Sequence, residues 1–222
     1  MRTVEGELTE ALGAMLHAPV NLSCAGRTDA GVHAWGQVVT FAGPPDADTA
    51  KLRHALNHKL GPEIVVRTME PAPVGFHARH SARSRTYRYT IVNRTVPDPF
   101  RARYSWWVSD PLDLRALRLG ADPFVGEHDF AAFCRAGPPG STTVRRVLRS
   151  RWSEVDDGVL VYEVTATAFC WQMVRSMVGT LVDVGTGRLR AGDLMAILRA
   201  RRRDAAGRLA PPQGLCLWDV EY

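Results

Sequence analysis

The apolar residues at the start of the chain recur at the spacing of a helix. Between Val4 and Met15 they lie three or four positions apart, and Thr3 is placed to cap the helix that this period predicts. Two apolar runs follow at 20–25 and 36–41, VNLSCA and GQVVTF. Each is short, so the two runs predict two strands on either side of the turn GRTDAGVHAW.

A second helix is predicted in DADTAKLRHALNHKLGP. Asp48 or Thr49 can cap its start and the Gly-Pro pair stops it, after which EIVVRTMEP at 63–71 predicts a strand. The order helix, strand, strand, helix, strand is that of the split βαβ unit of ferredoxin-like folds without its first strand. That strand is missing either because the fold differs or because the chain begins late relative to its relatives.

The second half opens with RTYRYTIV, whose alternation predicts a strand. Tyr87 and Tyr89 share one face, and Arg88 lies on the other face between two threonines, so one face is basic. A loop is predicted through NRTVPDPFRARY, before SWWVS. The remaining pattern predicts a helix in LDLRALRLGADPFVG, two strands joined at Asp157-Gly158, helices in WQMVRSMVGTLVDVG and LRAGDLMAILRARRR, and a last strand in LCLWDVEY.

These elements predict the α+β class, with two ferredoxin-like halves whose sheets form a shared central antiparallel or mixed sheet flanked by helices. The N-terminal half is expected at 1–78, where it carries the GRTD loop and lacks its first strand. The C-terminal half is expected at 79–222, where it completes a cleft at that loop.

The composition is that of an ordinary globular protein, with 222 residues of which 45% are apolar and 23% charged. Glutamates interrupt the apolar pattern near the start and exclude a signal-peptide core, and no apolar run reaches membrane-spanning length. We expect a soluble, intracellular protein. The four cysteines are widely spaced without a C-x-x-C pair, which favours reduced thiols over a zinc site or a disulfide framework.

The formal net charge is +5, and the basic residues are clustered. Nearly all of them are arginines, which pair with phosphate through two donors and stack on bases, so an RNA partner is favoured. The cluster HARHSARSRTYRY interleaves arginines with tyrosines, and its candidate RNA contacts are Arg79, Arg83, Arg85 and Arg88. The run RARRR at 199–203 is equally compatible with a solvated helix end.

Several familiar motifs are absent from the sequence: a phosphate-binding loop, a dinucleotide fingerprint, a zinc-protease motif and a serine-hydrolase motif. The corresponding chemistries therefore lose support. His54 and His58 lie four apart on a predicted helix, but no carboxylate or cysteine pattern accompanies them. Surface histidines fit this pair better than metal ligands, and no metal site is predicted.

Asp29 is the carboxylate of the GRTDAG turn. An Asp in a turn often makes only a local backbone bond, but Arg175 lies in an apolar sector of its predicted helix, where a guanidinium is expected to have a partner. If that partner is Asp29, the positive charge keeps the carboxylate ionised, as a nucleophile requires. A purely structural ion pair is the alternative.

The string GRTDAGVHAWGQVVTF resembles the signature GRTDxGVHAxxQ of the TruA-type tRNA pseudouridine synthases. The resemblance continues in family order through TVEGELTEAL, FHARHSARSRTYRY, GEHDFAAF, FCWQMVRSMVGTLVDVG and APPQGLCLWDVEY, nearly the whole chain. It implies isomerisation of uridine to pseudouridine at positions 38, 39 and 40 of the anticodon arm of tRNA, by a homodimer without cofactor or metal. It places the protein in the cytoplasm, with no membrane partner.

By position, the resemblance implies that Asp29 is the nucleophile and that Arg175 is its salt-bridge partner. Arg27 would contact the RNA and help to hold the target nucleotide out of the stack. Tyr87 would stack against the uracil and move protons, and Leu215 would pack near the base. A core role is the alternative for Tyr87 and Leu215.

Two other functions compete with this interpretation. One is a catalytically impaired RNA-binding form of the same fold, suggested by the absent first strand, which would bind an anticodon stem-loop without forming product. The other is a glycosidase-like hydrolase that uses Asp29. The second carboxylate that such an enzyme requires is not supplied by the GRTD loop.

Overall fold

Five α-helices and nine β-strands form within residues 2–138 and 140–222, which the computed structural model describes. The helices are α1 (Val4–Leu16), α2 (Thr49–Leu60), α3 (Leu114–Ala121), α4 (Met173–Gly185) and α5 (Leu194–Ala200). The strands are β1 (Ser23–Cys24), β2 (His33–Ala34), β3 (Val39–Thr40), β4 (Ser84–Val92), β5 (Trp106–Trp107), β6 (Gly126–Asp129), β7 (Val144–Asp156), β8 (Val159–Ala166) and β9 (Leu215–Glu221). The α+β class is confirmed. None of the helices in these two ranges combines the length and the apolar composition of a membrane span.

The chain divides into two units. The first is Met1–Gly26 with Val38–Ser81, and the second is Arg27–Gln37 with Ala82–Tyr222. The segment that carries the GRTD loop therefore groups with residues that follow it much later in the sequence.

In the first unit, the predicted helices α1 and α2 and their caps are confirmed. The Gly6 N–H donates to the Thr3 hydroxyl (3.1 Å), and the Lys51 N–H donates to the Asp48 carboxylate (3.0 Å). Each cap satisfies a backbone donor that the first turn of a helix leaves unpaired. The core of this unit is formed by Ala11, Leu12, Val20 and Leu56.

The predicted strands of the first unit are shorter than expected. Only β1 and β3 form, as an antiparallel pair of two residues each. The strand predicted at 63–71 is wrong, because side chains of α2 take the place of a neighbouring strand. Asn57 bonds both the N–H (2.6 Å) and the carbonyl (2.9 Å) of Val66, and Arg53 donates to the Arg67 carbonyl (3.0 Å). These backbone groups are thus satisfied without a sheet partner.

The second unit is built on a seven-stranded mixed sheet. Its order is β2-β9-β4-β8-β7-β6, and β5 pairs with the end of β4. The pairs β2–β9 and β4–β5 are parallel, and the other pairs are antiparallel. The predicted strands β4, β7, β8 and β9 are confirmed, and β7 and β8 are joined at Asp157-Gly158 as expected. Helix α4, also predicted, is buried along most of its length.

The expectation of four reduced cysteines is wrong for Cys134 and Cys170. They form a disulfide, with their Cα atoms 5.8 Å apart, whereas Cys24 and Cys216 are free. The two bonded residues are 36 positions apart in sequence. The fold brings them together because the Arg135 N–H donates to the Trp171 carbonyl (2.9 Å), which joins their two loops.

Candidate active site

The loop that carries Asp29 is a tight turn at the edge of the seven-stranded sheet. The Val32 N–H donates to the Asp29 carbonyl (3.1 Å). Gly31 adopts a φ of +82°, a conformation that favours glycine. A Cβ at Gly31 would also lie 3.0 Å from the Cγ of Pro212. Because β2 follows at once and pairs with β9, the turn is held against the start of the last strand.

Asp29 and Arg175 form the ion pair that the family resemblance implied. The distance from Nη1 of Arg175 to Oδ2 of Asp29 is 2.8 Å. The Arg175 side chain is only 12% exposed, whereas that of Asp29 is 39% exposed. Among the described residues, the second carboxylate oxygen, Oδ1, has no hydrogen-bond partner. The arginine therefore fixes one oxygen and leaves the other accessible.

Arg175 is itself fixed by the segment that precedes β9. Its Nε donates to the Ala210 carbonyl (2.8 Å), and its own carbonyl accepts from the Ala210 N–H (3.1 Å). This segment can approach α4 closely because residue 179 is glycine. A Cβ at Gly179 would overlap with the Arg208 carbonyl oxygen, so no residue with a side chain fits at this position. The guanidinium thus has both its position and its direction set by backbone.

Tyr87 and Leu215 lie on the same face of the sheet, on the adjacent strands β4 and β9. Tyr87 is opposite Leu217, and Leu215 is opposite Tyr89. Both predicted residues are buried, with 8% and 6% of their surface exposed. The Tyr87 ring meets Phe169 edge to face, with centroids 5.0 Å apart. Phe169 lies in the loop that leads into α4, the helix that carries Arg175.

Tyr89 supports the segment that holds Arg175. Its hydroxyl donates to the Pro211 carbonyl (2.8 Å). Burial raises the pKa of this hydroxyl well above its ordinary value, against the charges of Arg175 and Arg208, which lower it. The hydroxyl therefore remains a donor across the physiological range of pH.

The arginines predicted to bind RNA are placed in different surroundings. In the first unit, Arg79 is exposed, and its backbone N–H donates to Nδ1 of His77 (3.2 Å). In the second unit, Arg27 and Arg83 are exposed, and Nη1 of Arg85 donates to the Thr167 carbonyl (2.9 Å). Their contacts with RNA remain predictions.

Arg88 is engaged within the protein, on the sheet face opposite Tyr87. It donates to Glu163 (2.9 Å), and its guanidinium lies 4.0 Å from the ring centroid of Trp218. Arg149 and Arg151 contact the other oxygen of Glu163, at 3.2 and 2.8 Å. Burial alone would raise the pKa of the Glu163 carboxyl, but the hydrogen bonds and charges of these arginines outweigh it and lower that pKa.

The part of the chain that the structure describes contains no group of three or more His, Cys, Asp or Glu side chains arranged to hold a metal ion. What the geometry offers instead is a carboxylate that pairs with Arg175 through one oxygen and has its other oxygen available. Such a group can attack an electron-poor carbon or accept a proton.

The sequence did not single out Tyr89, Phe169 or the Ala210 carbonyl as parts of the site. The alternation of the sequence does place Tyr89 on the same face as Tyr87, so its orientation could be predicted. Phe169 lies in a loop, where no period applies. The Ala210 contact uses a backbone group, which every residue has and no motif marks.

The chain is similar to known proteins over nearly its whole length. The sequence matches the model of the family described as tRNA pseudouridine synthase over residues 2–81 and 121–222. It is 44% identical over 222 residues to tRNA pseudouridine synthase A of Moorella thermoacetica, covering 99% of this chain and 89% of that protein. The namesake in Bacillus subtilis is 40% identical over 224 residues, covering 100% and 90%.

A third relative, tRNA pseudouridine synthase A of Leifsonia xyli, is 39% identical over 243 residues, which cover 100% of this chain and 84% of that protein. The similarity therefore spans both units and includes Asp29 and Arg175 within the matched ranges. The chain belongs to the tRNA pseudouridine synthase family, whose members are isomerases.

Proposed function

We propose that the protein isomerises uridine to pseudouridine in the anticodon arm of tRNA, at positions 38, 39 and 40, with Asp29 as the nucleophile. The observation that carries this proposal is the ion pair of Asp29 with Arg175, which leaves one carboxylate oxygen available. Family membership supports a tRNA uridine as the substrate. The anticodon positions rest on the resemblance of the GRTDAGVHAWGQVVTF signature.

The reaction breaks the bond from N1 of uracil to C1′ of the ribose and forms a bond from C5 to the same carbon, with loss of the C5 proton to solvent and gain of a proton at N1. Because uridine and pseudouridine are isomers, no electrons are gained or lost. Asp29 has three conceivable routes: attack at C1′, removal of the C2′ hydrogen to form a glycal, or addition to the base. The available Oδ1 is compatible with each of them.

The other site residues have supporting roles. Arg27, exposed beside Asp29, contacts the RNA and helps to hold the flipped-out nucleotide, since base chemistry inside a stacked helix requires extrusion. Tyr87 stacks against the uracil and moves protons, and Leu215 packs near the base. Arg79, Arg83, Arg85 and Arg88 contribute positive charge toward the phosphates. We also propose a homodimer that works in the cytoplasm.

Release of tritium from an anticodon stem-loop with uridine labelled at C5 tests the reaction. We expect release by the protein as it stands and none by Asp29→Ala, while both bind the RNA. Release by Asp29→Ala would exclude Asp29 as the nucleophile. Binding without release by either protein would favour the impaired RNA-binding form over the enzyme.

A further inference from the structure

His33, within the GRTDAGVHAW signature, links the catalytic loop to a second loop of the same unit. Its Nε2 bonds the Arg103 carbonyl (2.8 Å), and its ring lies 4.8 Å from that of Tyr104, at an interplanar angle of 45°. Asp29 is four residues before His33, at the other end of the same turn. One imidazole therefore joins the nucleophile's loop to residues 98–104.

The 98–104 loop is ordered by its own bonds. The Asp98 carboxylate accepts from the Phe100 N–H (2.9 Å), and the Tyr104 N–H donates to the Arg101 carbonyl (2.9 Å). The Arg101 carbonyl also accepts from the Ser105 hydroxyl (2.7 Å). Arg101 in turn pairs with Asp156 at the end of β7 (2.8 Å). A loop held in this way loses little further entropy when it binds a partner.

The same loop exposes two aromatic side chains and an arginine. Phe100 and Tyr104 are 94% and 61% exposed, respectively. Arg103 is exposed, and in the described ranges its guanidinium has no ion-pair or hydrogen-bond partner. An exposed aromatic ring beside an unpaired arginine suits an unstacked base and its phosphate, which is how single-stranded nucleic acid is bound.

We propose that residues 98–104 form a second RNA contact, in which an unpaired base of the substrate stacks on Tyr104 and Arg103 pairs with a phosphate. His33 is the positioning residue that keeps this contact at a fixed place relative to Asp29. The inference rests on the proposed function for the identity of the RNA. It adds a contact that is separate from the group that reacts.

Binding of a fluorescent anticodon stem-loop to single variants tests the stacking. We expect Tyr104→Ala to raise Kd by about 5- to 100-fold, the range for loss of one base–aromatic stack. Tyr104→Phe should bind like the wild type because it keeps the ring. Arg103→Ala should reduce the slope of log Kd against log salt by about one phosphate contact. Leu119→Ala on α3, at an exposed position, is the control and should leave Kd unchanged.

A double-mutant cycle tests the role of His33. His33→Ala should raise Kd and KM nearly as much as Tyr104→Ala, and the double variant should be little worse than either, since His33 acts through Tyr104. The single-turnover rate at saturating RNA should change by less than about twofold. His33→Gln, whose amide can still donate to the Arg103 carbonyl, should restore much of the binding.

An unchanged Kd for Tyr104→Ala would overturn the proposed contact. The positioning role of His33 would be overturned if the effects of the two substitutions on Kd were additive in the double variant. It would also be overturned if His33→Ala lowered the single-turnover rate instead of weakening binding. Failure of the proposed reaction is recognised separately, because it appears as absence of tritium release from the wild type. In that case weaker binding by Tyr104→Ala would still support the RNA contact.

Discussion

Among the carboxylates of the second unit that pair with arginine, Glu163 and Asp29 differ in how many partners they have. Glu163 is 9% exposed at its side chain and has both oxygens occupied, one by Arg88 and the other by Arg149 and Arg151. Asp29 is 39% exposed and has one oxygen occupied, by Arg175. A carboxylate with both oxygens bonded within the protein contributes to stability. One that is oriented through a single oxygen is available to a substrate.

The arginines show the opposite distribution. Around Glu163 they are 36%, 57% and 60% exposed, whereas Arg175 is 12% exposed. At Asp29 the protein buries the cation and exposes the anion, and at Glu163 it buries the anion and exposes the cations. In each of these two groups, the side chain left exposed is the one that can meet a partner, whereas the buried side chain positions it.

The largest effect is expected at Asp29. Asp29→Asn keeps the size of the side chain but removes the charge, so pseudouridine formation should fall on the order of 10⁴-fold or more. The Tm should fall by no more than about 4 °C, since a change of about 1 kcal/mol shifts a protein of this size by that amount. Single-turnover assays and thermal unfolding measure the two quantities. Residual activity above a few per cent would contradict the role of the free oxygen.

The next effect is expected at the buried cation. Arg175→Lys keeps the charge, but one ammonium group cannot donate to Asp29 and to the Ala210 carbonyl at the same time. The carboxylate therefore loses its orientation. We expect single-turnover activity to fall about 100-fold. Arg188→Lys is the matched control, at a side chain 56% exposed and paired with Asp110, and should remain active. Equal activity of both variants would show that charge alone is sufficient.

At Glu163 the effect should fall on stability. Glu163→Gln should lower the free energy of unfolding by about 1–2 kcal/mol at neutral pH, because three arginines lose their shared anion. Since the folded pKa is lowered, this stabilisation is complete above the ordinary pKa of 4.5 and is lost as pH falls through the lower folded value. Urea unfolding at neutral pH and below pH 4.5 should show the difference between wild type and variant shrinking.

The exposed Glu10→Gln, in the first unit, is the control for that experiment and should unfold like the wild type at both pH values. Activity of Glu163→Gln should remain within about threefold of the wild type. A large loss of activity in Glu163→Gln at unchanged stability would show that Glu163 serves activity and not stability.

The smallest effect is expected at a third carboxylate, which has no arginine. Asp113 caps α3, where its Oδ1 accepts from the N–H groups of Arg115 (2.8 Å) and Ala116 (3.1 Å). Asp113→Asn should change the free energy of unfolding by less than about 0.5 kcal/mol, since an amide oxygen caps equally well, and Asp113→Ala should cost about 1 kcal/mol. Urea unfolding of both variants would show whether charge or hydrogen bonding matters here.

The sequence predicted the helices because their signals are local, whereas for the ion pair it indicated a partner for Arg175 and only the resemblance implied that this partner is Asp29. Thr3 and Asp48 precede regular apolar periods, and Arg175 on an apolar helical sector required a partner, which is Asp29. The failures have non-local causes. The strand predicted at 63–71 does not form, because side chains of α2 bond its backbone groups. The hydrophobic periodicity of the sequence gives no sign of these bonds. The disulfide joins loops 36 residues apart, where spacing gives no sign of contact.

The pairing of β2 with β9 determines when the Asp29 turn can fold during protein synthesis. Asp29 and His33 leave the ribosome early, but the strand that fixes their turn is residues 215–221, and Arg175 and Ala210 also come late. An unfinished chain therefore contains Asp29 before the residues that position it have been made. A nascent polypeptide still attached to tRNA and surrounded by other tRNAs would acquire the ability to modify them only once that last strand has been synthesised.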